Sequence, residues 1–214
     1  MKISIAKELV NREDNEEYSN DISIDNKKQS LKSILANKVA ELTQTVSMMD
    51  TDNLDEILNK INNARSVLFA AAGNTIPVAM DGAYKLNQIG IPAISTPVLE
   101  TQLAYSYNLT ADDVVIALSN SGESTGVINI IEAAKQNKAI TISITNHDNS
   151  SIAKLSEYHI TTASLEKMLF DEYCFSRVSA TMVIEILYLF LTSMRKDAYK
   201  SIMQHEKSIA FTKE

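Results

Sequence analysis

The chain has 214 residues, 45% hydrophobic and 22% charged, the balance of one globular domain with a substantial core and an appended segment. No run approaches the roughly 18 apolar residues of a membrane span, and no basic-then-apolar signal peptide opens the chain, so a cytoplasmic protein without a membrane partner is expected. A lone cysteine (Cys174), three scattered histidines and a net charge of −7 without a basic block exclude an internal disulfide, a spaced metal site and direct DNA binding; no metal and no cofactor are expected.

Ile3, Ile5, Ala6 and Leu9 have helical spacing but are too few to build a core, so residues 1–10 read as the tail of an upstream element. Residues 11–28 are mostly polar and acidic and read as a linker, which leaves 29–214 as the domain proper. From Gln29, the residues Leu31, Ile34, Leu35, Val39, Leu42 and Val46 follow the three-and-four spacing of a helix that buries one stripe. Asp50, Thr51 and Asp52 offer N-cap side chains to a second helix, which Leu54, Ile57, Leu58 and Ile61 carry to about residue 64.

Short β-branched or apolar runs at 66–70, 93–95, 114–118, 140–144 and 158–161 predict five strands. Helical patterns at 76–88, 99–109, 125–136 and 151–155 alternate with them. Such βα alternation predicts an α/β fold: a three-layer αβα sandwich around a five-stranded, parallel, doubly wound sheet, with extra N- and C-terminal helices. A last helix over 172–194 carries Phe175, Val178, Met182, Val183, Ile186, Leu187, Phe190 and Leu191 on more than one stripe. With the N-terminal helices it offers surface for a homodimer or a dimer of dimers.

In a doubly wound sheet, ligands sit beyond the C-terminal strand ends, where turn and helix N–H groups point outward. After the first strand, Gly73 permits a tight turn, Asn74 follows, and Thr75 places a hydroxyl at a helix start; a turn and a cap would account for these equally well. After the third strand, Ser119, Asn120, Ser121, Gly122, Glu123, Ser124 and Thr125 gather hydroxyls and an amide around one glycine as a helix opens. These neutral donors suit reversible capture of a phosphate monoester, and a plain surface turn does not explain why they directly follow a buried strand.

Here the sequence resembles the sugar-isomerase (SIS) domain family, whose first loop reads G-x-G-x-S and whose third-strand loop reads S-x-S-G-E-T. The corresponding residues are Ala71-Ala72-Gly73-Asn74-Thr75 and Ser119-Asn120-Ser121-Gly122-Glu123-Ser124, and the likeness runs from about residue 30 to the C-terminus. Within the family it is most similar to the effector domain of RpiR-type transcription regulators. The resemblance implies a flavodoxin-like strand order, a sugar-phosphate ligand, and an upstream helix-turn-helix domain through which alone DNA would be contacted. It also implies that Ser119, Ser121 and Ser124 bind the phosphate, with Thr75 adding a hydroxyl.

Aldose–ketose isomerisation needs a positioned base. The isomerase domain of glucosamine-6-phosphate synthase, more distantly similar, has a lysine and a catalytic glutamate one turn apart. Here that spacing reads Lys85-Leu86-Asn87-Gln88, and Gln88 accepts no proton at neutral pH. Lys85 stays a candidate ligand contact, and Glu100, where RpiR-type domains often have histidine, a candidate for the sugar hydroxyls or a substitute base. His147 is a further rim candidate, and Cys174 reads as a buried thiol. The expected function is sensing without catalysis; the alternatives are a phosphosugar isomerase using Glu100 or His147, and a dimerisation module with empty loops.

Overall fold

A computed structural model describes residues 22–164 and 176–210. Helix α1 (Lys27–Ser47) starts two residues before Gln29 because the Asn26 side chain accepts from the Gln29 N–H and caps it. Its orientation corrects the expectation of a buried apolar stripe. Leu31, Ile34, Leu35, Val39 and Val46 are exposed and Leu42 is half-buried, whereas the buried residues are Ser30, Asn37, Glu41 and Thr45. Periodicity identifies the apolar stripe but not what it faces.

Helix α2 (Thr51–Asn62) is capped as expected, with Asp50 accepting from the N–H groups of Asp52 and Asn53; Leu54, Ile57, Leu58 and Ile61 are buried. The α/β part runs β1 (Ser66–Ala71), a 3-10 turn (Gly73–Thr75), α3 (Ile76–Gln88), β2 (Ala93–Ile94), α4 (Leu99–Ser106), β3 (Asp113–Leu118), α5 (Thr125–Gln136), β4 (Ile140–Thr145), α6 (Ser151–Leu155) and β5 (Tyr158–Thr161). Two helices follow, α7 (Val178–Met194) and α8 (Ala198–Ala210). The expected helix over 172–194 is therefore seen from Val178; Phe175 and Cys174 lie outside the described residues. Helix α4 is shorter than its apolar pattern and stops at Ser106.

All strands pair in parallel in the order β2-β1-β3-β4-β5, the doubly wound order. Strand alternation divides the core in two. Val114, Ile116 and Leu118 of β3 face α2, α3 and α7, where Ile57, Ile61, Ala79, Val183 and Leu187 are buried. Val115 and Ala117 face the other layer, with Val127, Ile130 and Ile131 of α5 and Ile152 of α6. Burying each large side chain contributes about 1.5–3 kcal/mol, so these two layers dominate stability.

Two polar clusters finish the frame. At the N-terminal sheet edge the buried Asp113 carboxylate accepts from Arg65, the Ser66 hydroxyl, and the Thr110 N–H and hydroxyl. Burial alone would raise its pKa, but these donors outweigh burial and lower it to about 2. Also at the N-terminal ends of the strands, the Arg195 guanidinium donates to the carbonyls of Asn62, Ile89 and Gly90, so one side chain satisfies acceptors at the C-terminal ends of both α2 and α3. Among the described residues, no single helix is long and apolar enough to cross a membrane.

Candidate functional site

The chain leaves β1 to one side for β2 and returns on its other side as β3, so a crevice opens between the C-terminal ends of β1 and β3. Two loops line it. In the first, Gly73 adopts φ +58°, a left-handed conformation that glycine allows, and the space where a Cβ would stand is open. Asn74 is exposed, whereas Thr75 is buried. The Thr75 hydroxyl lies 3.0 Å from the Leu118 carbonyl at the end of β3 and 3.1 Å from the Ala72 carbonyl. Its proton is therefore engaged in joining the two loops and not held out toward an anion.

The second loop is built around Gly122. Its φ is +70°, and its N–H donates to the Ser119 hydroxyl at 3.1 Å. A Cβ here would approach the Ser150 hydroxyl to 2.1 Å, which explains glycine on steric as well as conformational grounds. The Gly122 carbonyl accepts from the Ile152 N–H and Glu123 accepts from the Ser151 N–H, so the loop docks onto the start of α6. The hydrogen bonds from Ser151 hold the Glu123 carboxyl below its ordinary range. Sequence reasoning gave Glu123 no role, although an acidic side chain able to reach a helix start was available as a signal.

Ser119 is buried, Ser121 exposed and Ser124 half-buried. Ser124 is the N-cap of α5, yet its side chain makes no capping bond, so its hydroxyl and the first-turn amides of α5 remain free of one another. Asn120 is committed elsewhere: its amide donates to the Ser176 carbonyl and its own carbonyl accepts from the Asn146 N–H. Glu100, exposed in the first turn of α4, is brought near this loop because its neighbour Leu99 packs on Gly126 of α5. The structure thus gathers Gly73, Asn74, Thr75, Ser119, Asn120, Ser121, Gly122, Ser124 and Glu100 along one rim. His147 is exposed on the neighbouring β4–α6 loop.

Lys85 stands apart from that rim. Nine residues into α3, it lies about 14 Å along the axis from the helix start. Its ammonium pairs with Glu185 of α7 at 2.9 Å, lies 4.0 Å from Asp81 and sits over the Tyr188 ring. Burial works against its charge, but Glu185 and Asp81 outweigh it and raise the pKa. The adjoining cavity, lined by Phe69, Gly82 and Leu187 among others, measures about 10 Å³, too small for a sugar. Gln88 donates to the Tyr84 hydroxyl, also away from the loops.

Sequence reasoning also missed Gln102. Fully buried, it accepts from the Ala71 N–H and donates to the carbonyls of Ala71 and Thr96, which fixes the end of β1 against the loop after β2. A buried glutamine on a short apolar helix was the available signal. Among the described residues no group of three His, Cys, Asp or Glu could hold a metal ion.

A parallel doubly wound sheet with a hydroxyl-rich, helix-opening loop at its switch point defines an α/β anion-binding domain of the kind that takes phosphorylated ligands. Residues 60–190 match the SIS domain, and the chain belongs to that family. An HTH-type transcriptional regulator of Clostridium perfringens (strain 13 / Type A) is 27% identical over 212 residues, 99% of this chain and 74% of that protein. Among solved structures, the Vibrio vulnificus NanR protein complexed with ManNAc-6P superposes with a TM-score of 0.78 at 20% identity, covering 98% of this chain and 74% of that one. The sugar isomerase domain of the RpiR transcription factor from Sphaerobacter thermophilus gives 0.75 at 18% identity, covering 84% of this chain and 99% of that one. At these identities the structural matches establish the fold, and they agree with the flavodoxin-like order that the family resemblance implied.

Proposed function

We propose that this chain is the sensor domain of an RpiR-type regulator, binding a sugar phosphate reversibly without converting it. The observation that carries the reading is the Ser119–Ser124 loop, where Ser124 caps no backbone amide and so keeps its hydroxyl for a phosphate oxygen beside the α5 amides. Ser121, exposed on the same loop, adds a second hydroxyl, while Ser119, Asn120 and Thr75 shape the loop from below. DNA contact would belong to a helix-turn-helix domain outside this sequence, in keeping with a net charge of −7. The exposed Leu31, Leu35 and Val39 of α1 and Leu189 and Phe190 of α7 support pairing of two copies.

One observation keeps an isomerase reading in view: Glu100 is a carboxylate near the loop. Against it, Gln88 supplies no base. Thermal unfolding with ManNAc-6P, glucosamine 6-phosphate, fructose 6-phosphate and inorganic phosphate tests binding. A ligand at a hundredfold its Kd adds about 2.7 kcal/mol, or roughly 5–10 °C for a domain of this size. Ser124→Ala should weaken that ligand about tenfold, one lost hydrogen bond to a charged group, yet leave the ligand-free Tm within about 1–2 °C, since no cap is removed. No shift with any compound refutes the sensor reading, and conversion of the bound sugar phosphate to its keto or aldo isomer by NMR refutes the non-catalytic part.

A further inference from the structure

Every buried residue of α1 is polar, so this helix is seated on its own domain by hydrogen bonds more than by apolar packing. One such contact is made at Ala163. Thr45 accepts from the Ala163 N–H at 3.0 Å and donates to the Glu41 carbonyl at 2.8 Å. The Ala163 carbonyl accepts from Ser179 of α7 at 2.7 Å. Thus Ala163, just past the end of β5, is clamped on one side by α1 and on the other by α7.

The same peptide is joined to the ligand loop. Thr162, its neighbour, donates through its hydroxyl to Asn146 Oδ1 at 2.7 Å. The Asn146 N–H donates to the Asn120 carbonyl at 3.0 Å, and Asn120 sits between Ser119 and Ser121. A second branch leaves Asn120 through its amide, which donates to the Ser176 carbonyl at 3.2 Å, three residues before Ser179. Thr162, Ala163, Ser179, Glu41 and Thr45 are all buried, so water offers no easy substitute when one of these bonds shifts.

We infer that occupancy of the Ser119–Ser124 loop is relayed through Asn120, Asn146, Thr162 and the Ala163 peptide to Thr45, and changes how α1 is seated. The inference rests on the ligand-binding reading and specifies the regulation of that site. A phosphate drawn onto the loop moves the Asn120 peptide; because the bonds are directional and the relay passes from half-buried Asn120 and Asn146 to buried Thr162, Ala163 and Thr45, the displacement either travels or breaks a bond. At its far end stands a helix whose outer face carries Leu31, Ile34, Leu35, Val39 and Val46, so reseating α1 re-aims its exposed apolar surface.

Hydrogen–deuterium exchange of the whole chain, with and without saturating ManNAc-6P, glucosamine 6-phosphate or fructose 6-phosphate, reads both ends at once. The expected result is slowed exchange over 119–126 together with a change of at least fivefold over 27–47. Thr45→Val should keep Kd within threefold and the loop protection, but abolish the α1 response; Thr45→Ser, which restores the hydroxyl, should restore the response. If Thr45→Val does not fold, Thr162→Val against Thr162→Ser cuts the relay one step nearer the site with the same expectation. Loop protection with a silent α1, or an α1 response that survives loss of the hydroxyl, overturns the relay. Silence at both ends with all three compounds overturns the binding reading and the relay with it.

Discussion

Gly122→Ala tests whether the Ser119–Ser124 loop and the start of α6 are built as one unit. A residue with a side chain at φ +70° carries a left-handed penalty of about 1–2 kcal/mol. The new methyl would also stand 2.1 Å from the Ser150 hydroxyl and 2.3 Å from its Cβ, so Ser150 must move. Ser150 caps α6 by accepting from the Ala153 N–H, and losing a cap costs about 1 kcal/mol. Together with residual crowding the substitution should cost about 3 kcal/mol, measured as the urea midpoint shift at constant slope. Ser150→Gly opens the space at little capping cost, so the double variant should recover about 1–2 kcal/mol relative to additivity, leaving the conformational penalty. A Gly122→Ala protein within about 0.5 kcal/mol of the parent, or strictly additive variants, would refute this account of the loop.

Asp113, lowered from 3.8 to about 2, contributes stability that is fully present above the unfolded value and is lost as pH falls through the folded one. The contribution is about 2 kcal/mol, so unfolding measured from pH 6 to pH 2 should weaken mainly between pH 4 and 2, and Asp113→Asn should flatten that slope while lowering stability at pH 7. Arg195→Ala leaves carbonyls at the ends of α2 and α3 without their donor and should cost about 2–3 kcal/mol by urea unfolding; a loss under about 0.5 kcal/mol would show that water replaces the guanidinium there.

Most element limits were legible because β1, β3 and β4 are buried on both faces and read as unbroken apolar or β-branched runs, whereas the strand order came only from the family resemblance. The glycine-centred loop after β3 was legible for the same reason: strand, turn and helix leave it one place in the fold. What failed to show was direction and commitment. The apolar stripe of α1 was plain, but a stripe that meets another surface has the same period as one that meets the core. Thr75 and Asn120 carry the right groups for a ligand, yet their hydrogen bonds go to Leu118, Ser176 and other main-chain partners, which only the folded geometry reveals. Lys85 entered through a likeness of spacing, and its placement against Glu185 follows from α7, an element more than 90 residues away in sequence.

The sheet ends in two short strands, β2 of two residues and β5 of four, flanking three strands of six. An edge that short offers almost no row of unpaired main-chain groups for a foreign strand to extend, so the sheet is a poor template for fibrillar growth. The exposed apolar residues of α1 and α7 sit on helices instead, where the main chain is already satisfied. If two copies pair as proposed, the contact would therefore run through side chains of these helices and not through an added strand.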